Sequence, residues 1–193
     1  MKKRTNLLVI ISGPSGVGKS EIAHRLLAIK DLKISENISF TTRSPRQNEI
    51  NGQHYNFISR NQFETKIKAN EFLEFIEYNG DYYGTDKNSF KELLLFQNVL
   101  LVIDYRGFQK IKRIWGSKYP IVAFFLRPPT WEKLIANLKK RGANNELEIK
   151  KRVKIAQKEL AFSNEYDYIL EVNDNFAEVV KEISEKIAIG KEI

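Results

Sequence analysis

Leu7, Leu8, Val9, Ile10 and Ile11 form an unbroken aliphatic run, and the residues that follow, from Gly13 to Ser20, spell G-x-x-x-x-G-K-[ST]. No other feature constrains the chain as much. An apolar run without alternation is the pattern of a strand covered on both faces, and a helical pattern begins directly after the motif. Glycines in such a strand-to-helix joint let the backbone curl into a nest whose N–H groups point at phosphate oxygens, while the helix N-terminus adds its partial positive charge. Gly13, Pro14, Ser15, Gly16, Val17, Gly18, Lys19 and Ser20 are therefore the candidate nucleoside triphosphate-binding residues, with Lys19 reaching the β- and γ-phosphates and the Ser20 hydroxyl ligating Mg²⁺. The motif specifies a phosphate donor and is silent about the acceptor.

Three later runs match the first: Val99-Leu100-Leu101-Val102-Ile103, Ile121-Val122-Ala123-Phe124-Phe125-Leu126 and Tyr168-Ile169-Leu170-Glu171-Val172. Each is followed by a helical stripe, for example Trp131, Leu134, Ile135 and Leu138, or Phe176, Val179, Val180, Ile183 and Ile187. Strands alternating with helices predict an α/β fold, a parallel sheet flanked by helices. Asn175 with Glu178, and Asn145 with Glu148, have capping-box spacing, and Thr130 after Pro128-Pro129 is a candidate N-cap. With 193 residues, 42% of them hydrophobic, the chain is long enough for one such domain plus a small insertion.

Cysteine is absent and the histidines are His24 and His54 alone, which removes disulfide scaffolds, thiolate metal sites and cysteine nucleophiles. Lys2, Lys3 and Arg4 ahead of the first aliphatic run resemble a leader, but the run is too short for one, and no stretch of about 18 apolar residues occurs. A cytoplasmic location is expected. The formal charge of +8 favours anionic ligands without choosing among them.

Residues 39–86 read differently. Tyr55-Asn56-Phe57-Ile58, Leu73-Glu74-Phe75-Ile76-Glu77-Tyr78 and Tyr82-Tyr83 alternate in character and are separated by the turn signals Asn51-Gly52 and Asn79-Gly80-Asp81. They predict a small, mostly antiparallel lobe, interrupted by a short helix over 62–70 with Asn61 or Ser59 as cap. Gly142-Ala143-Asn144-Asn145 separates two basic helices, a pattern suited to a helical lid around 137–155. The predicted division is a core of 1–38 and 87–193, and an inserted lobe of 39–86.

The lobe carries two arginines, Arg43 and Arg46, with Tyr55 and Tyr83, residue types whose forks and hydroxyls match phosphate oxygens. Glu74 in that basic neighbourhood is a poor phosphate contact and a good base reader; a solvated strand carboxylate beside Glu71 and Glu77 is the competing reading. Asp104 ends a buried strand, where an acid needs a partner: the hydration shell of Mg²⁺, or the N-terminus of the helix it precedes.

Taken together, the phosphate loop, Ser39-Phe40-Thr41-Thr42-Arg43-Ser44-Pro45-Arg46, Glu49 to Tyr55, Phe72-Leu73-Glu74, Tyr82-Tyr83-Gly84-Thr85, Ile103-Asp104 and the segment from Arg141 to Arg152 resemble a guanylate kinase in order and spacing. The resemblance runs from about residue 6 to 187. It implies that ATP and Mg²⁺ phosphorylate GMP or dGMP, that Arg43, Arg46, Tyr55 and Tyr83 hold the GMP phosphate, and that Ser39, Glu74 and Thr85 read guanine. Guanine offers N1–H and its 2-amino group as adjacent donors to a carboxylate, whereas adenine presents an acceptor at N1. A nucleoside monophosphate is already anionic near neutrality, so no general base is required. Lys19, Arg43, Arg141, Arg152 and Asp104 are the catalytic candidates, and Ser20 and Asp104, the latter through water, the metal candidates. Small-molecule substrates, no nucleic-acid or membrane partner, and a monomer or homodimer are expected.

The chain departs from the family pattern at Val102, where an Asp is usual two residues before Asp104, and at Asn137, a common arginine position for which Lys133 or Lys140 is a candidate substitute. Arg106, Glu21 and Asn48 stand where Gln, Thr and Gly are usual. Two rival readings stay open: a related P-loop kinase of another phosphate acceptor such as ribose bisphosphate, and a weakly active guanylate-kinase-like interaction module. Nucleic-acid binding, suggested by the charge, lacks a clustered aromatic–basic pattern.

Overall fold

A computed structural model describes residues 6–78, 80–140 and 145–190. Strand β1 (Leu8–Ser12) is buried along its whole length. It pairs in parallel with β7 (Asn98–Val102) on one side and β8 (Ile121–Arg127) on the other. β9 (Tyr168–Glu171) extends the sheet beyond β8. The four runs legible in the sequence are thus four neighbouring parallel strands. A fifth, β2 (Ile34–Glu36), adds to the far side of β7, completing the order β2-β7-β1-β8-β9. With one aliphatic residue in three, it has no run to announce it.

Both faces of the sheet are covered, and β1 shows how. Leu7, Val9 and Ile11 point into a core built with α1 (Lys19–Leu27) and α7 (Phe176–Gly190), while Leu8 and Ile10 point into one built with α3 (Lys87–Phe96) and α4 (Tyr105–Trp115). This is the reason for the continuous aliphatic run. Among the described residues no helix is long and apolar enough to cross a membrane.

The insertion is a second sheet, in the order β4-β3-β6-β5, made of β3 (Phe40–Thr41), β4 (Asn56–Phe57), β5 (Phe72–Tyr78) and β6 (Asp81–Asp86). Its β5–β6 and β3–β6 pairs are antiparallel and its short β3–β4 pair is parallel. Helix α2 (Arg60–Lys68) starts two residues before the expected point because Ser59 and Gln62 form a full capping box, and it stops before Asn70, which has a φ of 55°. Phe63 from α2, fully buried, stacks on Phe72 at 4.3 Å and Tyr82 at 5.2 Å and holds the helix on the sheet.

Helices α5 (Trp131–Lys140) and α6 (Glu146–Ala161) pack on each other through Leu134, Leu138 and Ala156. Thr130 caps α5 by accepting from the Lys133 N–H, as expected. The two capping boxes do not form as expected. Asn145 accepts from the Leu147 N–H, but Glu148 is drawn to Arg152 instead, and Asn175 donates to the Glu178 carboxylate. Arg141 and the hinge at 142–144 lie outside the described residues.

Replacing Phe63 by Ala removes the lobe's central aromatic contact and is expected to cost about 3–5 kcal/mol. Hydrogen exchange should accelerate across 40–86 and leave the amides of β1 protected; a uniform change across both sheets would contradict this account.

Candidate active site

The phosphate loop and the lobe face each other across a cleft at the carboxyl ends of β1 and β7, where open parallel sheets place ligands. Gly13, Gly16 and Gly18 have φ of 139°, 91° and 110°, so the loop backbone turns as the motif requires. At Gly13 the space is as restrictive as the angle, since a Cβ would lie 2.2 Å from the Leu126 carbonyl oxygen. Val17 donates its N–H to the Pro14 carbonyl at 3.2 Å, closing the turn. The Lys19 ammonium folds back over the loop onto the carbonyls of Gly13 and Pro14. Ser20 is exposed in the first turn of α1 and lines the cleft with Lys19.

Asn137 donates from Nδ2 to the Gly16 carbonyl at 3.0 Å and ties α5 to the loop. Lys133 is paired with Asp174, and the charge of Lys140 also acts on that acid.

The lobe supplies the opposite wall. Arg43 grips Glu49 with both terminal nitrogens, at 2.9 and 3.0 Å, and Glu49 also accepts the Arg46 N–H at 2.7 Å. Burial would raise the Glu49 carboxyl, but the Arg43 fork and the Arg46 amide outweigh it and hold it below the usual carboxylate range. The Arg43 Nε is buried with no hydrogen-bond partner among the described residues. Tyr55 lies under the Arg43 guanidinium at 5.5 Å and beside Tyr83, and burial pushes its phenol up to about 12. Asn48 adopts a φ of 70°, a left-handed conformation that Asn tolerates, which accounts for its standing where glycine is usual.

Glu74 is 6% exposed and lies opposite Thr85 in the β5–β6 pair. The register slips between Phe72 and Glu74, a bulge that re-aims the strand and buries Phe72, Leu73 and Glu74 in succession. Glu74 Oε1 accepts from the Thr85 hydroxyl at 2.7 Å, while Oε2 has no hydrogen-bond partner among the described residues. Gly107 of α4 leaves the room for it, because a Cβ there would sit 3.1 Å from Oε2. Burial raises the Glu74 carboxyl to about 7 against the opposing hydrogen bond from Thr85.

Asp104 is the N-cap of α4, and its carboxylate is saturated. Oδ1 accepts the N–H groups of Arg106 and Gly107, and Oδ2 accepts Nε and Nη2 of Arg106. The helix terminus, one of the two partners open to it in the sequence, is thus met by Oδ1. Val102 lines the cleft on the same side, as residues two apart on a strand should. Arg152 is bound to Glu148 one turn back along α6, and its charge acts on Tyr78 of the cleft lining.

A P-loop facing a separate arginine-bearing lobe that carries a buried acid, Glu74, defines a nucleoside monophosphate kinase. The family model described as guanylate kinase matches residues 5–189. The chain is 41% identical to the guanylate kinase of Rickettsia prowazekii over 186 residues, covering 96% of this chain and 92% of that one. It is 38% identical to the guanylate kinase of Mycoplasmoides gallisepticum, covering 97% and 94%. The crystal structure of guanylate kinase from Anaplasma phagocytophilum superposes with a TM-score of 0.78 at 26% identity, covering 98% of this chain and 88% of that one. The chain belongs to the guanylate kinase family.

Three site residues carried no role in the sequence. Glu49 was legible as the start of a stretch that carries the family resemblance, with no role of its own. Gly107 required knowledge of what α4 packs against. Glu159 sits in a basic helix and reads as a solvated charge, yet it is 3% exposed, lines the cleft, and has an Oε2 with no hydrogen-bond partner among the described residues. Burial raises it to about 7, with the charge of Lys19 opposing.

Glu74 ionises near 4.5 in the unfolded chain and near 7 in the fold, so its contribution to stability falls as pH rises from 4.5 to 7 and stays low above that. Glu74→Gln keeps the acceptor for Thr85 and removes the charge. Its melting temperature should exceed that of the wild type at pH 8, by the equivalent of about 3 kcal/mol at most, and match it at pH 4.5. Equal melting at both values would show that Glu74 is not buried as described.

Proposed function

We propose that the protein transfers the γ-phosphoryl group of ATP to GMP or dGMP, and that the cleft residues divide that task by wall. The observation that carries this reading is the buried Oε2 of Glu74, without a hydrogen-bond partner among the described residues, opposite a complete phosphate loop. A desolvated acceptor of this kind is costly until a donor arrives, and guanine brings two to one carboxylate edge. Ser39, which also lines the cleft, and Thr85 complete the set of polar groups at the base.

Arg43, already forked by Glu49, and Arg46 with Tyr55 and Tyr83 form the acceptor phosphate site. Holding Arg43 in place beforehand lowers the ordering cost when the phosphate binds. The loop amides and Lys19 take the donor phosphates, Lys19 exchanging its two carbonyl partners for phosphate oxygens. An acceptor phosphate oxygen then attacks the γ-phosphorus in line, the bond to the bridging β-oxygen breaks, and ADP leaves with that electron pair. No proton needs to be removed from the acceptor.

Mg²⁺ supplies charge neutralisation on the donor phosphates. Among the described residues no cluster of three acidic or histidine side chains could hold a metal ion, which suits an ion that takes most of its ligands from nucleotide and water. Ser20 would hold it through its hydroxyl. Asp104 could reach its hydration shell only after releasing Arg106, so its assigned role is to fix the start of α4. Arg152 joins the phosphates by exchanging Glu148 for them, and Arg141 is its proposed companion. A cytoplasmic location fits this reading.

Purified protein with Mg-ATP should release ADP in response to GMP and dGMP, and not to AMP, CMP, UMP or ribose bisphosphate. Lys19→Ala should lower kcat by roughly 10²–10³-fold. Glu74→Gln should raise KM for GMP by roughly ten- to a hundredfold while leaving KM for ATP unchanged. Equal turnover of AMP and GMP would overturn the role of Glu74, and no turnover of any nucleotide would favour the interaction-module reading.

A further inference from the structure

Helix α4 runs along the outer edge of β5, the terminal strand of the lobe sheet. Phe75 and Glu77 are two residues apart, so their carbonyls leave that edge in the same direction. Two cations of α4 take them up: Arg106 Nη1 donates to the Glu77 carbonyl at 2.9 Å, and the Lys110 ammonium donates to the Phe75 carbonyl. The two cations differ in what else they touch. Arg106 is neutralised by Asp104. Lys110 rests 4.9 Å from the centre of the Phe75 ring, so its partners among the described residues are a carbonyl and an aromatic face, both neutral. Phe75 is the residue next to Glu74, and Gly107, one turn before Lys110, touches the space around Glu74 Oε2.

We propose that Lys110 is a specificity-determining positioning residue for the guanine site: its ammonium pins the β5 carbonyl next to Glu74 and sets beside that carboxyl a positive charge with no acidic partner among the described residues. The proposal rests on the reading of Glu74 as the guanine contact. Glu74 must accept two donors, and a protonated carboxyl would instead present a hydrogen to one of them. The groups acting on it are the Thr85 hydroxyl from β6, Asp104 at the start of α4, which opposes ionisation, and Lys110 from α4, which favours it. Burial outweighs these favourable contributions in the free protein, leaving the carboxyl at about 7. Removing Lys110 moves its ionisation to higher pH, into the range where the enzyme would work.

Lys110→Met keeps the length and the apolar stem while removing the charge. GMP binding and initial rates are measured from pH 6 to pH 9 for wild type, Lys110→Met, Lys110→Arg and Glu74→Gln. At pH 7, Lys110→Met should raise KM for GMP about tenfold, with kcat and KM for ATP within twofold of wild type. The defect should largely disappear at pH 9, where Glu74 ionises unaided, and Lys110→Arg should restore wild-type values. A GMP defect equally large at pH 7 and pH 9 would reduce Lys110 to a mechanical brace and overturn the proposal, as would no defect at all. If Glu74→Gln binds GMP normally, the guanine-reading role of Glu74 fails and takes the proposal with it. If Glu74→Gln loses GMP while Lys110→Met does not, the proposal alone falls.

Discussion

A carboxylate taken out of water with one oxygen unmet is the feature on which the rest of this cleft depends. Leaving Glu74 Oε2 unpaired costs folding energy, and the surroundings are arranged around that cost instead of removing it. Thr85 satisfies Oε1, a bulge in β5 turns the side chain inward, and Gly107 withholds a side chain that would otherwise occupy the gap. The unmet oxygen is a stored demand for a donor, which a bound base fulfils. Sites built this way reject the wrong base by leaving the same oxygen unpaired, so specificity and reduced stability have a common origin.

The cations around the cleft follow a different rule and are satisfied in advance by groups that can be exchanged for phosphate or kept as supports. Arg43 is forked by Glu49, Lys19 is held by two loop carbonyls, and Arg152 is held by Glu148. Such pairing keeps several like charges within one small cleft before any anion arrives, and it sets the guanidinium planes in place. Glu159 contributes to the same balance from α6, where its charge acts on Lys19.

The departures from the family pattern are absorbed locally. Asn137 replaces a cation with a hydrogen bond to the phosphate loop. Asn48 takes up a left-handed backbone that would otherwise call for glycine. Arg106, in place of a glutamine, saturates Asp104 and reaches across to the Glu77 carbonyl, so the core helix grips the edge of the lobe sheet. These substitutions alter how the bodies are tied together, while the loop and Glu74 keep their places. The pairing of Arg106 with Asp104 was hidden in the sequence because an acid two residues before a basic residue is common on any surface.

Local chemistry settled the elements whose cause lies within a few residues. The aliphatic run and the glycine spacing determined β1, the phosphate loop and α1; the run at 99–103 and its successors determined the other long parallel strands; Ser59 with Gln62 determined the start of α2. Glu74 was conspicuous as an acid among arginines. Its burial, the orphaned oxygen, the gap at Gly107, the fork between Arg43 and Glu49, and the approach of Lys110 to β5 came only with the tertiary structure. Each depends on segments brought together from different parts of the chain, and desolvation, which decides what a carboxylate can do, is a property of everything packed around it and of no single residue.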